Sequence, residues 1–379
     1  MKFIAKTLFG LEDLLVQEIE SLGGQNVIKL NRAVSFEGDL ECLYKVNYLS
    51  RLALRVVKPI LEFTAHNETV FYKRIKRYDW TKLFSPHQTF CIDSTVKSHF
   101  FRHSKYVALK TKDAIVDLFR LKHNGVRPSI DTRNPDFRIN VHCFEKDFTI
   151  SLDSSGESLH KRGYRQSNRQ APLNEVLAAG MIMLTGWDKK TTFYDPMCGS
   201  GTLITEAYSY AHNIPPRKNR NSYAFMKWAD FDRRLWNSIV ADNKVDHISA
   251  FPKFFATDID RRQIAETRRL FDDLELDNIN LSRKNFINSL PPKTNGIIVC
   301  NPPYGERLND GEVIELYQSI GDTLKTNYAG WEAWFISSNK SALKRIGLRP
   351  SKKISLFNGS LECKFQKYEM YEGSKKRKE

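Results

Sequence analysis

The chain has 379 residues, which is longer than one typical domain and predicts two or three. Its formal net charge of +15 and its pI near 9.4 favour a polyanionic partner, nucleic acid first, because clustered cations release counterions from a phosphate backbone. A solvated basic surface is the alternative that charge alone leaves open.

The six cysteines are widely scattered, with no CxxC pair and no Cys/His set at zinc spacing. We therefore expect free thiols in a reducing compartment and no metal site. The amino terminus lacks the long apolar core of a signal peptide, and no stretch reaches the roughly 18 apolar residues of a membrane span. These features predict a cytoplasmic protein without a membrane partner.

The first part of the chain alternates between strand and helix patterns, as in a small α+β fold. Up to residue 64 it predicts a strand at 2–6, a helix at 11–22, two further strands, a helix near 39–50 and a strand near 52–63. From residue 65 the alternation repeats, with a helix near 68–78, a strand at 89–96, a helix near 103–123 and a hairpin at 137–153.

This second stretch interleaves cations with aromatic residues, a pattern typical of a surface that grips an RNA backbone. The candidate RNA contacts here are Lys73, Arg74, Lys97, Arg102 and Lys105. The aromatic residues among them, many of which we expect in the core, are Tyr72, Tyr78, Trp80, Phe100, Phe101 and Tyr106. Residues 151–166 are rich in Ser, Gly and charge and predict a connector, where Arg162 and Arg165 are further phosphate candidates and a solvated linker is the alternative.

After a helix predicted over 171–187, the chain reads as strand, glycine loop and helix, with the loop at 195–201. The loop lacks the third glycine of the dinucleotide fingerprint and the lysine of a P-loop, so phosphate binding is disfavoured. Asp195 suits an ammonium group, and Gly199 and Gly201 allow a ligand to approach closely. S-adenosylmethionine fits that chemistry, and a plain glycine turn is the alternative. The candidate cofactor residues of this stretch are Asp195, Pro196, Cys198, Gly199, Gly201 and Thr202.

Two further strand ends supply candidate cofactor contacts. Residues 254–274 predict a strand with an acidic end and then a helix, so Asp258, followed by Ile259, is placed to meet ribose hydroxyls. Asp260 is a candidate helix cap. A third strand end near 281–292 makes Asn285 and Phe286 candidates for the edge and face of an adenine.

The most specific stretch is the apolar run 297–300 followed by Asn301-Pro302-Pro303-Tyr304. The run predicts a buried parallel strand, and the two prolines remove N–H donors, so the loop offers acceptors. The Asn301 side chain and the Pro302 carbonyl are suited to hold the two hydrogens of an exocyclic amine, with the Tyr304 ring stacked on its base. An ordinary strand and turn is the alternative. A helix at 312–326, a strand at 334–339 and a hairpin joined at 358–359 follow, and the basic tail is predicted to be disordered.

Four segments together resemble the motif series of class I S-adenosylmethionine-dependent amino-methyltransferases. They are APLNEVLAAG (171–180), DPMCGSGT (195–202), ATDID (256–260) and CNPPYGERL (300–308). Residues 150–165 resemble the end of a THUMP domain, an RNA-binding module. The whole chain resembles the bacterial THUMP-domain 23S rRNA guanine-N2 methyltransferase family, of the RlmL/YpsC type.

The resemblance implies an α/β chain with a ferredoxin-like subdomain (1–64), a THUMP domain (65–155), a linker (156–170), a seven-stranded Rossmann-like methyltransferase domain (171–372) and a basic tail (373–379). By position, Asp195, Gly199 and Gly201 would line the methionine part of the cofactor, Asp258 the ribose, and residues 301–304 the target base, with Asn301 also beside the cofactor. Many relatives carry Asp where this chain has Asn285, which leaves the adenine contact open.

The implied activity is methylation of a guanine N2 amine in 23S rRNA, either free or in a precursor particle. Three alternatives remain at this stage. They are a tRNA guanine-N2 methyltransferase, a DNA adenine-N6 methyltransferase, which also uses an NPPY loop, and a non-catalytic RNA-binding assembly factor.

Overall fold

The computed structural model of the chain describes residues 1–164, 173–243, 252–304 and 309–371. The chain divides into two compact units. The first unit consists of Met1–Lys6, Val16–Leu159 and Arg220–Asp242, and the second consists of Thr7–Leu15, His160–Asn219 and Asn243–Glu379. The predicted tail, Pro172 and Arg165 lie outside the described residues.

Within the described ranges, the first unit is built on an eight-stranded sheet with helices packed on it. Its strands are β1 (Lys2–Lys6), β2 (Gln25–Leu30), β3 (Ala33–Glu37), β4 (Arg55–Thr64), β5 (Thr89–Lys97), β6 (Ser129–Ile130), β7 (Phe137–Phe144) and β8 (Asp147–Asp153). The helices of this part of the chain are α1 (Glu12–Ser21), α2 (Leu40–Leu49), α3 (Glu68–Arg77) and α4 (Ser104–Lys122), with a 3-10 turn at Trp80–Lys82.

The order of this sheet is β2-β3-β1-β4-β8-β7-β5-β6. Strands β4 and β8 pair antiparallel from Val57 opposite Asp153 to Thr64 opposite Asp147, with a register shift between Pro59 and Leu61. Proline cannot donate to the ladder, which explains an irregularity at that point. The sequence divides this region at residue 64, whereas the structure joins both parts in one continuous sheet.

Residues 220–242 are part of the first unit, although they lie between segments of the second in sequence. They include a 3-10 turn (Ala224–Lys227) and α7 (Arg233–Asp242). Tyr44 of α2 stacks on Phe225 with ring centroids 4.5 Å apart, meets Trp236 edge-on at 6.1 Å, and accepts from the Asp232 N–H at 3.0 Å. The aromatic cluster explains why this segment packs with the first unit.

The second unit is built on a seven-stranded sheet in the described residues. Its strands are β9 (Phe193–Asp195), β10 (Phe254–Asp258), β11 (Ile279–Arg283), β12 (Gly296–Cys300), β13 (Trp331–Ser337), β14 (Lys352–Asn358) and β15 (Leu361–Glu369). The helices are α5 (Glu175–Leu184), α6 (Thr202–Ala211), α8 (Arg261–Asp273), α9 (Asp310–Asn327) and α10 (Lys340–Arg345). No helix in the described ranges is long and apolar enough to cross a membrane.

The order of the second sheet is β11-β10-β9-β12-β13-β15-β14. Strands β9 to β13 pair in parallel, and β15 runs antiparallel to both of its neighbours. The order reverses between β9 and β12, where Phe193 lies opposite Ile297. In open α/β sheets, ligands bind beyond the carboxyl ends of the strands at such a reversal.

Helix α9 shows how the sequence pattern builds the core beneath this edge. Val313, Tyr317, Ile320 and Leu324 recur at helical spacing and are all buried against β12 and β13 residues. The helix begins with a capping box, in which Asn309 accepts from the Glu312 N–H at 3.0 Å and the Glu312 carboxylate accepts from the Asn309 N–H at 3.1 Å. This cap fixes the point at which the chain leaves the loop after β12.

Candidate active site

The predicted acidic and amide residues meet at one edge of the second sheet. Asp195 ends β9, Asp258 ends β10, and Asn301 directly follows β12. These three strands are parallel neighbours in the order β10-β9-β12. Because the carboxyl ends of parallel strands share one edge, the glycine loop, the second carboxylate and the NPPY loop lie at the same edge of the sheet.

The glycine loop is held by hydrogen bonds from β10 and α8. The Gly199 N–H donates to Asp258 Oδ2 at 2.9 Å, the Thr267 hydroxyl donates to the Gly199 carbonyl at 2.6 Å, and the Cys198 N–H donates to the Thr257 carbonyl at 2.9 Å. Gly199 has φ +50°, and a Cβ there would meet only Gln263 Oε1, at 3.9 Å. The loop therefore has a fixed shape with open space beside Gly199 for a ligand.

Gly201 is needed for a different reason. Its φ is +78°, and a Cβ there would lie 2.8 Å from Thr267 Cγ2. The residue therefore allows α6 to start against α8, and it does not leave room for a ligand. Of its neighbours, Pro196, Cys198 and Thr202 are buried, and the Pro196 carbonyl accepts from the Thr257 hydroxyl at 3.0 Å. These three residues shape the loop from within.

Asp195 is a buried carboxyl group with an exposed fraction of 1 %. Burial, assisted by the charge of Asp258, raises its pKa to about 8, against the hydrogen bonds from the Met197 N–H and from Cys300. The Met197 N–H lies 3.3 Å from Asp195 Oδ1. No cation among the described residues contributes to this pKa, and such a buried carboxyl group is suited to a ligand that brings a positive charge.

Asp258 and its neighbours have distinct roles. The second oxygen of Asp258, Oδ1, accepts from the Asp260 N–H at 2.9 Å. Asp260 caps α8 by accepting from the Arg262 N–H at 2.8 Å, so its side chain acts as the predicted helix cap. Ile259 lies between them with its side chain exposed, which leaves an apolar surface beside the Asp258 carboxylate.

The NPPY loop carries a buried hydrogen-bond acceptor. Asn301 Oδ1 is buried and has no hydrogen-bond partner among the described residues. Leaving such an atom unsatisfied costs about 1–3 kcal/mol, and among the described residues this oxygen is available to accept from a ligand donor. Pro302 is buried beside it, and Pro303 is partly exposed.

The ring of Tyr304 is held by the carboxyl-terminal hairpin. The Asn358 side chain donates to the Tyr304 hydroxyl at 3.0 Å, and Cys363 Sγ lies 3.9 Å from the same oxygen. The sequence indicates Asn358 only as a turn residue and gives no sign that it reaches Tyr304. Thr267, which holds the glycine loop, is likewise absent from the sequence prediction, because it lies inside an ordinary helical pattern.

The third strand end differs from its prediction. Phe286 is 2 % exposed, with its ring centroid 5.4 Å from Tyr328 and 6.3 Å from Tyr194 in the core. The sequence predicts that this ring faces an adenine. In the structure the ring is packed in the core and has no open face for a ligand. Asn285 is exposed, and its Oδ1 accepts from the Ile287 N–H at 3.0 Å, so its carbonyl oxygen already shapes the loop.

The candidate RNA contacts separate into two groups. Lys73, Arg74, Lys97, Arg102 and Lys105 are all exposed on the first unit. Arg162 is different, because its side chain is 1 % exposed and pairs with Glu206, which is 3 % exposed, at 3.3 Å. A phosphate cannot reach a guanidinium so placed, and this corrects the prediction for Arg162. Arg165 lies outside the described residues.

Three family models match the chain. An RMKL-like methyltransferase domain matches residues 162–367, a THUMP domain matches 65–153, and an RlmL ferredoxin-like domain matches 2–57. A protein of Synechocystis sp., assigned only provisionally to the RNA methyltransferases, is 39 % identical over 372 residues, a match that covers 97 % of each chain.

Longer relatives and a solved structure are also similar to this chain. The ribosomal RNA large subunit methyltransferase K/L of Methylococcus capsulatus is 37 % identical over 371 residues, covering 96 % of this chain and 50 % of that protein. The chain thus spans about half the length of the K/L relatives that it matches. The crystal structure of SMU.472, provisionally a methyltransferase and complexed with SAH, has a TM-score of 0.87 and 27 % identity, and covers 98 % of this chain and 99 % of that one.

The second unit has the fold of a class I methyltransferase, a class that takes its methyl group from S-adenosylmethionine. The residues at the sheet edge fit that cofactor, since the buried Asp195 carboxyl group suits its ammonium group and the Asp258 carboxylate suits its ribose hydroxyls. The chain belongs to the RMKL-like methyltransferase family, with an RlmL ferredoxin-like domain and a THUMP domain ahead of its methyltransferase domain.

Proposed function

We propose that the chain transfers a methyl group from S-adenosylmethionine to the exocyclic N2 amine of a guanine in 23S rRNA. The observation that carries the reaction type is the buried Asn301 Oδ1 at the reversal point of the sheet, which has no partner in the part of the chain that the structure describes. The net charge of +15, the THUMP match and the K/L relatives named for large subunit rRNA support the choice of substrate.

The guanine amine is a weak nucleophile because its lone pair is delocalised into the ring. Asn301 Oδ1 and the Pro302 carbonyl would accept one hydrogen bond each from the two N–H groups. Both bonds strengthen as the nitrogen becomes tetrahedral and gains positive charge, so they act on the transition state more than on the bound substrate. The amine then loses one proton to solvent, and no strong general base is needed.

The target base must leave its stack to reach this loop, at a cost of a few kcal/mol. Tyr304 offsets part of that cost when its ring stacks on the base. The contact from Asn358 to the Tyr304 hydroxyl limits the rotation of the ring, so the stacking surface is oriented in advance. S-adenosylmethionine supplies an electrophilic methyl group, and Asp195, Asp258 and the loop at Gly199 orient it.

The proposal is tested by incubating the purified chain and labelled S-adenosylmethionine with total RNA and, in a parallel reaction, with genomic DNA, both from cells that lack this gene. Nucleoside analysis of separated fractions should find N2-methylguanosine in the large rRNA. Label in tRNA would retain the reaction and change the substrate to tRNA. Label absent from RNA but present as N6-methyladenine in DNA would replace the proposal, and SAH binding without any transfer would indicate an RNA-binding assembly factor.

A further inference from the structure

Two phenylalanine rings lie beside neighbouring turns of the first unit: Phe144 ends β7, just before the turn at 145–146, and Phe100 lies in the bend that follows β5. Phe100 is 53 % exposed and Phe144 is 52 % exposed. They contrast with Trp80 and Phe101, which belong to the same cation-rich sequence region but are buried in the core. Single exposed apolar residues are common in proteins, so the pair matters only if the turns are held together and share a chemical environment.

Hydrogen bonds hold the two turns together. The Ser98 hydroxyl donates to the Glu145 carbonyl, the Glu145 N–H donates to the Lys97 carbonyl at 2.7 Å, and the His99 N–H donates to the Glu145 carboxylate at 3.2 Å. The Phe100 N–H in turn donates to Ser98 Oγ at 3.0 Å. The backbone that carries both rings is therefore fixed in advance of binding, which lowers the entropy cost of a contact.

A third ring contacts Phe100. His66 follows β4, is exposed, and meets Phe100 edge-on with centroids 5.8 Å apart. The Ala65 N–H donates to the Lys146 carbonyl at 2.9 Å, which ties this segment to the same β7–β8 turn. We name these three exposed rings, His66, Phe100 and Phe144, the aromatic edge.

In the described ranges, one cation contacts the aromatic edge, and three more are exposed close to it in sequence. Lys97 Nζ lies 5.8 Å from the Phe144 ring centroid, within reach of a cation–π contact. Arg102, Lys105 and Lys146 are exposed on the segments that carry the rings. The carboxylate of Glu145, on the turn beside Phe144, accepts from the His99 N–H at 3.2 Å. Positive charge beside open ring faces is the combination by which proteins bind single-stranded nucleic acid, with cations on phosphates and rings on bases.

We infer that the aromatic edge stacks unpaired bases of the RNA substrate, with Phe100 and Phe144 as the two platforms and Lys97 contacting the backbone between them. The inference rests on the proposed function and adds that the first unit recognises a single-stranded segment. Bases inside an RNA duplex are stacked on each other and present only their edges, so a duplex cannot use these ring faces.

The test compares full-length variants Phe100→Ala and Phe144→Ala with Leu121→Ala, a matched control whose exposed side chain (74 %) lies at the far end of α4. Fluorescence anisotropy measures binding to three probes of equal length: a single-stranded RNA, the same strand with abasic positions, and its duplex. Unchanged SAH binding and an unchanged unfolding temperature verify that each variant is folded.

Each ring variant should bind the single strand about fivefold or more weakly, which is the loss expected for one stacked base, and should bind the abasic strand and the duplex as the wild type does. The salt dependence of binding should stay unchanged. Lys97→Ala should instead lower the slope of log affinity against log salt by about 0.7 on the single strand and should also weaken binding to the abasic strand.

Equal losses on the intact and abasic strands, or no loss in either ring variant, would overturn the inference. A wild-type chain that methylates RNA but binds no single strand would overturn it as well and would leave the proposed function standing. Ring-dependent binding of the single strand without methyl transfer into any RNA would support the inference and overturn the proposed function.

Discussion

The Gly199 N–H donates to Asp258 Oδ2 at 2.9 Å, so a side chain at the end of β10 fixes the glycine loop that follows β9. Asp258→Ala removes this acceptor and should weaken SAH binding by about tenfold or more, because both the loop shape and a ribose acceptor are lost. Asp258→Asn keeps one oxygen for the loop and should bind SAH better than the alanine variant. Calorimetry measures the difference, and equal affinities for the two variants would contradict it.

Asn301→Ala should reduce methyl transfer by about 10²–10³-fold while SAH affinity changes little, because the side chain acts on the amine. Single-turnover kinetics and calorimetry on the same protein separate the two effects. Asn339→Ala is the matched control, since that asparagine only caps α10 by accepting from the Ala342 N–H. If Asn301→Ala lost SAH binding and activity together, the residue would belong to the cofactor site alone.

Asp195 predicts a pH dependence of stability. Its pKa is raised to about 8 by burial, whereas an unfolded aspartate titrates near 4. Between about pH 4 and pH 8 the folded chain therefore holds a proton that the unfolded chain releases, and the free energy of unfolding falls as pH rises through this window. Urea unfolding of the ligand-free chain at several pH values should show a smaller fall in Asp195→Asn than in the wild type.

The proton on Asp195 also links ligand binding to pH. A ligand with an ammonium group favours the ionised carboxylate, so SAH binding below about pH 8 should release a proton, and its affinity should rise as pH approaches that value. Calorimetry in two buffers of different ionisation enthalpy counts the released protons. An equal proton release in Asp195→Asn would assign the effect to another group.

The two glycines of the loop should respond differently to alanine. Gly201→Ala places a Cβ 2.8 Å from Thr267 Cγ2 at a φ of +78°, and should lower the free energy of unfolding by about 2–4 kcal/mol. Gly199→Ala meets only the end of a flexible side chain and should cost about 1–2 kcal/mol for its positive φ. Denaturant titrations of both variants measure the difference in their free energies of unfolding. Similar losses of stability would mean that the positive φ, and not the contact with Thr267, sets the cost of each substitution.

Arg162 should matter for stability through its buried partner. Arg162→Ala leaves the Glu206 carboxylate buried without its cation and should destabilise the chain by about 3–5 kcal/mol. Replacing the pair by Met and Leu should recover most of that loss. Arg74→Ala, at an exposed position, is the control and should leave stability unchanged. Full stability of Arg162→Ala would mean that the pair contributes little.

Local signals in the sequence identify most of the candidate site. The β-branched run before Asn301 predicts a buried strand, and two prolines end it, so a sharp loop follows for steric reasons. Gly199 and Gly201 mark a turn, and both have positive φ in the structure. These features depend on a few neighbouring residues, and the strand order then brings the three strand ends together.

Residues whose role depends on distant partners were not predictable in this way. Phe286 follows a strand, and nothing local distinguishes a ring that faces a ligand from one that packs on Tyr328. Arg162 lies in a polar stretch that resembles a solvated linker, but Glu206, 44 residues later, buries it. Phe144 ends a strand with alternating burial, and only the tertiary structure shows that hydrogen bonds join the turn after it to the segment that carries Phe100.

The inclusion of residues 220–242 in the first unit has a consequence during synthesis. Translation proceeds from the amino terminus at about 5–20 residues per second, and domains made of one continuous segment can fold as they emerge. Here Tyr44 packs on Phe225 and Trp236, which are synthesised much later. The strand and loop that carry Asp195 and Gly199 are therefore translated before the first unit is complete. The first unit therefore cannot complete its packing until residues 160–219 of the second unit have been translated.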